Sequence, residues 1–221
     1  MNWTEQIDIY CERTDFTFWS EPLNALTNFL YLAGAVFMFT RVRRDRLPLA
    51  VALSVLLGLI AIGSFLFHTT ATQWASAADT APIGVFILVY LFAVNRDVLR
   101  FVWWQALLMT AGFLPYAAVA VPLLDRIPFV RISNFYWTVP ILLISYAPFV
   151  ARQNKATALG MVAGALLLAV SISVRSVDLW VCDWMPIGTH FIWHSLNAVM
   201  LPLMIEVYRR HMLARRVALS A

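Results

Sequence analysis

The chain has 221 residues, of which 62% are hydrophobic and 13% are charged, and its formal net charge is +4. A typical soluble domain contains about 25% charged and about 45–50% apolar residues. A soluble fold of this size could not bury so much apolar side chain, and a disordered chain would not contain it, so both classes are excluded. Only two cysteines are present, which excludes a disulfide-dense scaffold. The composition predicts a polytopic membrane protein.

Seven stretches without Asp, Glu, Lys or Arg are candidates for membrane spans, each of which needs roughly 20 apolar residues. They are residues 22–40, 47–67, 80–95, 101–124, 132–151, 156–174 and 185–205. They are apolar on all sides, whereas the strands of a membrane barrel alternate apolar and polar residues. We therefore predict an all-α protein, a single domain over residues 1–221 that forms a seven-transmembrane helix bundle.

The basic residues predict the orientation of this bundle. Twelve of the sixteen lie between spans one and two, three and four, and five and six, or after span seven. Because basic residues favour cytoplasmic segments, the N-terminal segment 1–21 is predicted outside and the basic tail 206–221 inside. The tail is interpreted as a membrane anchor and not as a nucleic-acid-binding arm, and His211 within it is expected to be solvated. In a bacterium, the protein would lie in the plasma (inner) membrane.

This orientation brings distant polar residues to the outer ends of three helices. They are Ser64, His68, Asp79, His190 and His194. Ser64 and His68 are four residues apart, as are His190 and His194, so each pair shares one helix face. Ionisable groups in a membrane are costly and usually mark a functional site. Three imidazoles with an open fourth position are typical of a catalytic zinc ion, although iron, copper or nickel also accept imidazole, and a packing role for the histidines is the alternative.

The N-terminal segment carries a second polar cluster and one of the two cysteines. Its carboxylates, Asp8, Glu12, Asp15 and Glu21, are ligands of the kind that calcium prefers, but a solvated acidic segment explains them equally simply. Cys11 and Cys182 both fall on the predicted outer side, where a disulfide can persist. Such a bond would join the N-terminal segment to the loop before the last helix; two unpaired thiols are the alternative.

Three stretches resemble the alkaline ceramidase family, within the CREST superfamily of seven-helix membrane hydrolases. They are YCER…FWSEPLNALTN (10–28), GSFLFHTTATQWASAADTAPI (63–83) and GTHFIWHSLN (188–197). The resemblance implies a zinc site built from Ser64, His68, Asp79, His190 and His194. It also implies a calcium site that includes Glu12 and Glu21, with Tyr10 offering its backbone carbonyl and Asp8 and Asp15 as further candidates, and a disulfide between Cys11 and Cys182.

The activity that the resemblance implies is hydrolysis of ceramide to a fatty acid and a sphingoid base. Zinc-activated water would be the nucleophile, Asp79 the general acid and base, and Ser64 a hydrogen-bond donor to the oxyanion, unless Ser64 only bonds a backbone carbonyl. The site would face the extracytoplasmic side, and the substrate would be a lipid of the bilayer. A phospholipid-ester hydrolase and a non-enzymatic lipid receptor are the alternatives; a transporter is disfavoured because no inverted repeat is visible. The oligomeric state stays open.

Overall fold

Membrane-spanning helices dominate the computed structural model, which describes residues 2–220. The helices are α1 (Pro22–Arg44), α2 (Pro48–Thr70), α3 (Gln73–Ala93), α4 (Trp103–Ala111), α5 (Phe113–Leu124), α6 (Pro128–Arg131), α7 (Asn134–Gln153), α8 (Lys155–Ser176) and α9 (His190–Ser220). A π-helical turn, Val94–Val98, extends α3, and a 3₁₀ turn, Asp178–Trp180, follows α8. Counting α4 and α5 as one span, seven segments are long and apolar enough to cross a membrane, so the predicted fold class is confirmed.

Two helices extend seven residues or more beyond the predicted spans. Helix α3 begins at Gln73, seven residues before the predicted start, so Asp79 lies inside a helix and not just before one. Helix α9 runs to Ser220 and therefore includes the basic tail, in which Glu206 accepts a 2.8 Å hydrogen bond from Arg210 one turn later. Charged residues end an apolar stretch, but Arg and Glu are good helix formers and do not end a helix.

The longer α9 also corrects the expectation for His211. This residue is only 8% exposed, and its Nδ1 lies 3.0 Å from the Thr157 hydroxyl of α8. Because the helix continues past residue 205, its inner face stays packed against α8. His211 is therefore a buried packing residue and not a solvated one.

Apolar side chains are distributed as expected for a protein surrounded by lipid. Phe29 and Phe37 of α1 are 54% and 55% exposed, whereas Leu53 and Leu57 of α2 are completely buried in the core. A water-soluble protein rarely exposes contiguous apolar surface on this scale. The chain is an integral multi-pass membrane protein.

Helices α2 and α3 approach each other closely at Gly63. A Cβ atom on Gly63 would lie 2.1 Å from the backbone oxygen of Ala78, so no larger residue fits at this crossing. Small residues at helix crossings allow this kind of close backbone contact in membranes. The contact places Ser64 of α2 beside Asp79 of α3.

The N-terminal segment, residues 2–21, folds across the end of the bundle where α2 ends and α9 begins, which we call the histidine end. The amide of Ile7 donates to the carbonyl of Ala71 at 2.7 Å, and the amide of Gln73 donates to the carbonyl of Glu5 at 3.0 Å. Cys11 forms a disulfide with Cys182 in the loop before α9, which confirms the predicted pairing. The segment is thus tied to both helices that carry the histidines.

Candidate metal centre

Three histidines from two helices converge at the histidine end. His68 lies in the last turn of α2, His190 is the first residue of α9, and His194 follows one turn later. Their ring centroids are 4.6–5.2 Å apart, and one nitrogen from each ring lies within 4.8 Å of the others. All three are at most 2% exposed. Within residues 2–220, this is the one group of three or more His, Cys or carboxylate side chains with this convergence.

The hydrogen bonds of the three rings leave nitrogens free to bind a metal ion. His68 Nδ1 donates to Glu21 Oε2 at 2.6 Å, and His194 Nδ1 donates to the backbone oxygen of Asn24 at 3.0 Å. Both bonds leave Nε2 as the unprotonated nitrogen of the ring. His68 Nε2 and His190 Nδ1 are buried without a hydrogen-bond partner among the described residues. A buried polar atom without a partner is costly, so the donor set fits a cation that accepts imidazole, as zinc does.

The partner of His68 belongs to a buried chain of charged groups. Arg13 Nε donates to Glu21 Oε1 at 2.5 Å, and the side chains of Arg13 and Glu21 are 1% and 3% exposed. Arg13 also donates through Nη2 to the backbone oxygen of His68 at 2.9 Å. Glu21 is therefore fixed between an arginine and a candidate metal ligand. Carboxylates that hold a ligand histidine in this way orient the ring and raise its basicity.

The carboxylates of the N-terminal segment experience opposite electrostatic environments. Burial raises the pKa of Glu12 above its ordinary value, although the backbone amides of Asn24 and Leu23 donate to its carboxylate and partly offset this effect. Burial also acts to raise the pKa of Glu21, but His68, Asn24 and Arg13 together bring it below the ordinary value. Glu21 is thus the carboxylate of the pair whose ionised form the fold stabilises.

The start of α9 is fixed by an acidic residue of the preceding 3₁₀ turn. Asp178 Oδ1 accepts from the backbone amides of Thr189 and His190 at 2.6 and 2.9 Å, and Oδ2 accepts from the amide of Cys11 at 3.1 Å. Gly188 makes this approach feasible: its φ is +60°, and a Cβ there would lie 2.2 Å from Asp178 Oδ1. One buried carboxylate therefore places both His190 and the N-terminal segment.

A cavity leads from the histidines into the bundle. It contains about 980 Å³ of empty space, including its open side, and Ser64, Asp79, His190 and His194 line its polar end. The Ser64 hydroxyl neighbours the Asp79 carboxylate, and no backbone carbonyl of the described residues accepts a hydrogen bond from Ser64. The rest of the wall is mainly apolar and includes Ile60, Ile83, Phe86, Ile87, Leu91, Val139, Leu142, Leu143, Leu168, Met200, Leu201 and Met204. Its mainly apolar lining suits a lipid chain.

Most of the residues expected to hold calcium have other partners. Glu12 accepts from the backbone amides of Leu23 and Asn24, at 2.6 and 2.8 Å. Asp15 is exposed and bonds Thr17, and Asp8 is exposed.

The cation that contacts Glu21 is the guanidinium of Arg13, which argues against Glu21 as a calcium ligand. Tyr10 was expected to offer its carbonyl, but that oxygen accepts from the Arg13 amide, and its ring stacks on His190 with centroids 3.7 Å apart. Calcium binding stays a prediction that these contacts do not support.

Sequence reasoning missed several residues that shape the site: Arg13, Asn24, Thr27, Arg175 and Asp178. Asn24 and Thr27 of the first helix both contact His194 Nδ1, Asn24 through its backbone oxygen and Thr27 through its hydroxyl. Their spacing of three residues on the first helix carried the signal that they share a face. Arg13 precedes His68 by 55 residues and Asp178 precedes His190 by 12, and no local pattern marks either residue.

The seven membrane spans and the buried three-histidine group define a class: multi-pass membrane proteins with a candidate metal centre next to a mainly apolar cavity. Residues 4–215 match the family model described as Ceramidase, and the chain belongs to this family. No match was found among curated proteins. Family membership makes the protein a ceramide-hydrolysing membrane enzyme, an amidohydrolase.

Proposed function

We propose that the protein cleaves the amide bond of ceramide in a zinc-dependent reaction, with His68, His190 and His194 as the zinc ligands. The observation that carries the proposal is the pair of buried ring nitrogens without partners, His68 Nε2 and His190 Nδ1, in a group that converges within 4.8 Å. Imidazole-only sites favour zinc over calcium or magnesium, which prefer oxygen. Zinc held in this way supplies a Lewis acid that brings the pKa of water toward neutrality.

The chain contributes two further groups to the reaction. Asp79 lines the polar end of the cavity and is the one carboxylate there. It accepts a proton from the attacking water and passes it to the leaving amine nitrogen, because a carboxylate within hydrogen-bond reach can do both in turn. Ser64 lies beside it and donates a hydrogen bond to the developing oxyanion. Glu21 holds His68 in the tautomer that keeps Nε2 free.

The orientation of the enzyme in its membrane belongs to the same proposal. With the basic end of the bundle in the cytoplasm, the N-terminus and the histidine end face the extracytoplasmic side of the membrane, the plasma membrane in a bacterium. The half-buried disulfide at the histidine end supports this orientation, because disulfides persist outside the cytosol. We further propose that residues 1–221 act as one domain.

Removing the metal tests the proposal directly. The purified protein in detergent is incubated with fluorescent ceramide, and separately with a fluorescent phospholipid, before and after treatment with a chelator. We expect release of fatty acid from ceramide, loss of this release on chelation, and recovery on addition of zinc. Cleavage of the phospholipid ester alone would assign the alternative hydrolase activity. Cleavage of neither lipid by metal-loaded protein would contradict the proposal.

Replacing the general base separates chemistry from metal binding. Asp79→Asn keeps the shape of the side chain but cannot accept the proton, so turnover is expected to fall about 100-fold or more, the range attributed to general acid–base catalysis. Zinc content, measured by atomic absorption, should stay at the wild-type value because Asp79 is not among the three ligands. An unchanged rate with Asn at this position would exclude Asp79 as the base.

A further inference from the structure

The cavity wall contains one arginine and no lysine, and this arginine is Arg175, near the end of α8. No carboxylate among residues 2–220 lies within 4.0 Å of its guanidinium, although Asp79 lines the same cavity. A cation inside a membrane protein is costly unless a partner or function compensates it. The absence of a paired carboxylate in this part of the structure leaves room for an anion supplied by a ligand.

The hydrogen bonds of Arg175 leave one edge of the guanidinium largely free. Nη1 donates to the Ser133 hydroxyl at 2.7 Å and to the Ile132 carbonyl at 3.2 Å, whereas Nη2 makes one long contact of 3.4 Å with the Tyr10 hydroxyl. Nε has no partner among the described residues. The Nε and Nη2 edge is the one through which Arg96 binds both oxygens of Asp97 in this chain, at 2.9 Å each. That edge of Arg175 is available for the same bidentate pairing.

Aromatic rings hold this guanidinium next to the histidines. It lies 5.4 Å from the ring centroid of Tyr136, 5.8 Å from that of Trp193 and 5.9 Å from that of Tyr10. Cation–π contacts of this kind keep an arginine in place without neutralising its charge. Tyr10 in turn stacks on His190, so the guanidinium and a candidate metal ligand contact the same ring.

We propose that Arg175 forms a carboxylate-binding subsite that receives the fatty acid released by the enzyme. This inference rests on the proposed function. Amide hydrolysis breaks the carbon–nitrogen bond and forms a carbon–oxygen bond with water; both protons of water end on the leaving nitrogen, which gives a carboxylate and an ammonium ion. The carboxylate therefore arises in the cavity that Arg175 lines. A planar guanidinium edge matches its two oxygens, whereas the neutral amide substrate offers no such pair of charges.

Equilibrium binding tests this subsite without any need for turnover. The purified full-length protein in detergent is titrated with palmitate, with hexadecanol as the neutral probe of the same chain length, and with hexadecyl phosphate. We compare wild type, Arg175→Gln, Arg175→Lys and Arg126→Gln; Arg126 is an exposed arginine outside the cavity and serves as the matched control. Binding of hexadecanol by each variant shows that its cavity is intact.

We expect the preference of the wild type for palmitate over hexadecanol to fall about tenfold or more in Arg175→Gln, the effect of a charge-assisted hydrogen bond. Arg175→Lys should keep part of the preference, and Arg126→Gln all of it. Should Arg175→Gln fail to fold, the loss in Arg175→Lys decides the outcome. A full preference in the folded Arg175 variants overturns the proposal, as does tighter binding of hexadecyl phosphate than of palmitate. Because this experiment measures binding and not turnover, its result can be interpreted even if the ceramide assay shows no activity.

Discussion

The two ends of the helix bundle differ in how completely their buried titratable side chains are paired within the chain. At the end opposite the histidines, the carboxylate of Asp97 accepts from both Arg96 and the Tyr208 hydroxyl, and Asp45 and Glu206 pair with Arg209. At the histidine end, two ring nitrogens are buried with no partner, and Arg175 has no carboxylate within pairing distance among the described residues.

This difference distinguishes groups with a structural role from groups that can bind a ligand. Ion pairs formed within the chain stabilise one geometry and leave no unpaired charge for a ligand to bind. Polar groups that lack a hydrogen-bond or ion-pair partner inside a low-dielectric bundle cost free energy. A fold retains such groups where a ligand supplies the missing partner. The following substitutions test whether the unpartnered groups at the histidine end bind a ligand.

Removing one histidine at each end should give the largest contrast. His68→Ala deletes a candidate metal ligand, so we expect metal content and ceramide turnover both to fall to background. His211→Ala removes a histidine that is also buried but bonded to Thr157, and it should keep both. Elemental analysis and the fluorescent ceramide assay measure the two properties. Full metal content in His68→Ala would refute the assignment of this ligand.

Breaking the disulfide should affect stability more than chemistry. Replacing both cysteines, Cys11→Ser with Cys182→Ser, releases the N-terminal segment from the loop before α9, and native disulfides of this kind contribute about 2–5 kcal/mol. We expect a lower thermal unfolding midpoint in detergent, and reduction of the wild type should reproduce it. A reducing agent should then have no further effect on the double variant. An unchanged midpoint would mean that the backbone contacts of Ile7 and Gln73 hold the segment on their own.

Removing the charge of Glu21, which bonds His68, should have the smallest effect of the three changes. Glu21→Gln removes the negative charge between Arg13 and His68, and losing such a partner typically lowers metal affinity about 10–100-fold. Competition with a chromophoric zinc chelator measures the affinity. Glu206→Gln removes an ion-paired carboxylate at the opposite end and should leave metal affinity unchanged. Equal affinities for Glu21→Gln and wild type would show that Glu21 acts only through its pairing with Arg13.

Much of the fold and of the site could be predicted from the sequence. Hydropathy located all seven spans, because a membrane span requires a long apolar stretch whatever its neighbours are. The i, i+4 spacing placed His190 and His194 on one face for an equally local reason. The ends of the helices were harder to predict: Asp79 and the charged residues after residue 205 end apolar stretches of the sequence, yet the helices continue through them.

What the sequence determined by itself was therefore the seven-helix membrane architecture and the identity of the residues that could bind a metal ion. The tertiary structure decided which atoms those residues leave free. Glu21 became the partner of His68 and not a demonstrated calcium ligand because Arg13 folds back against it, and Arg175 entered the cavity because α8 carries it there. Hydrogen-bond partners depend on contacts between residues distant in the chain, and local sequence patterns do not specify those contacts.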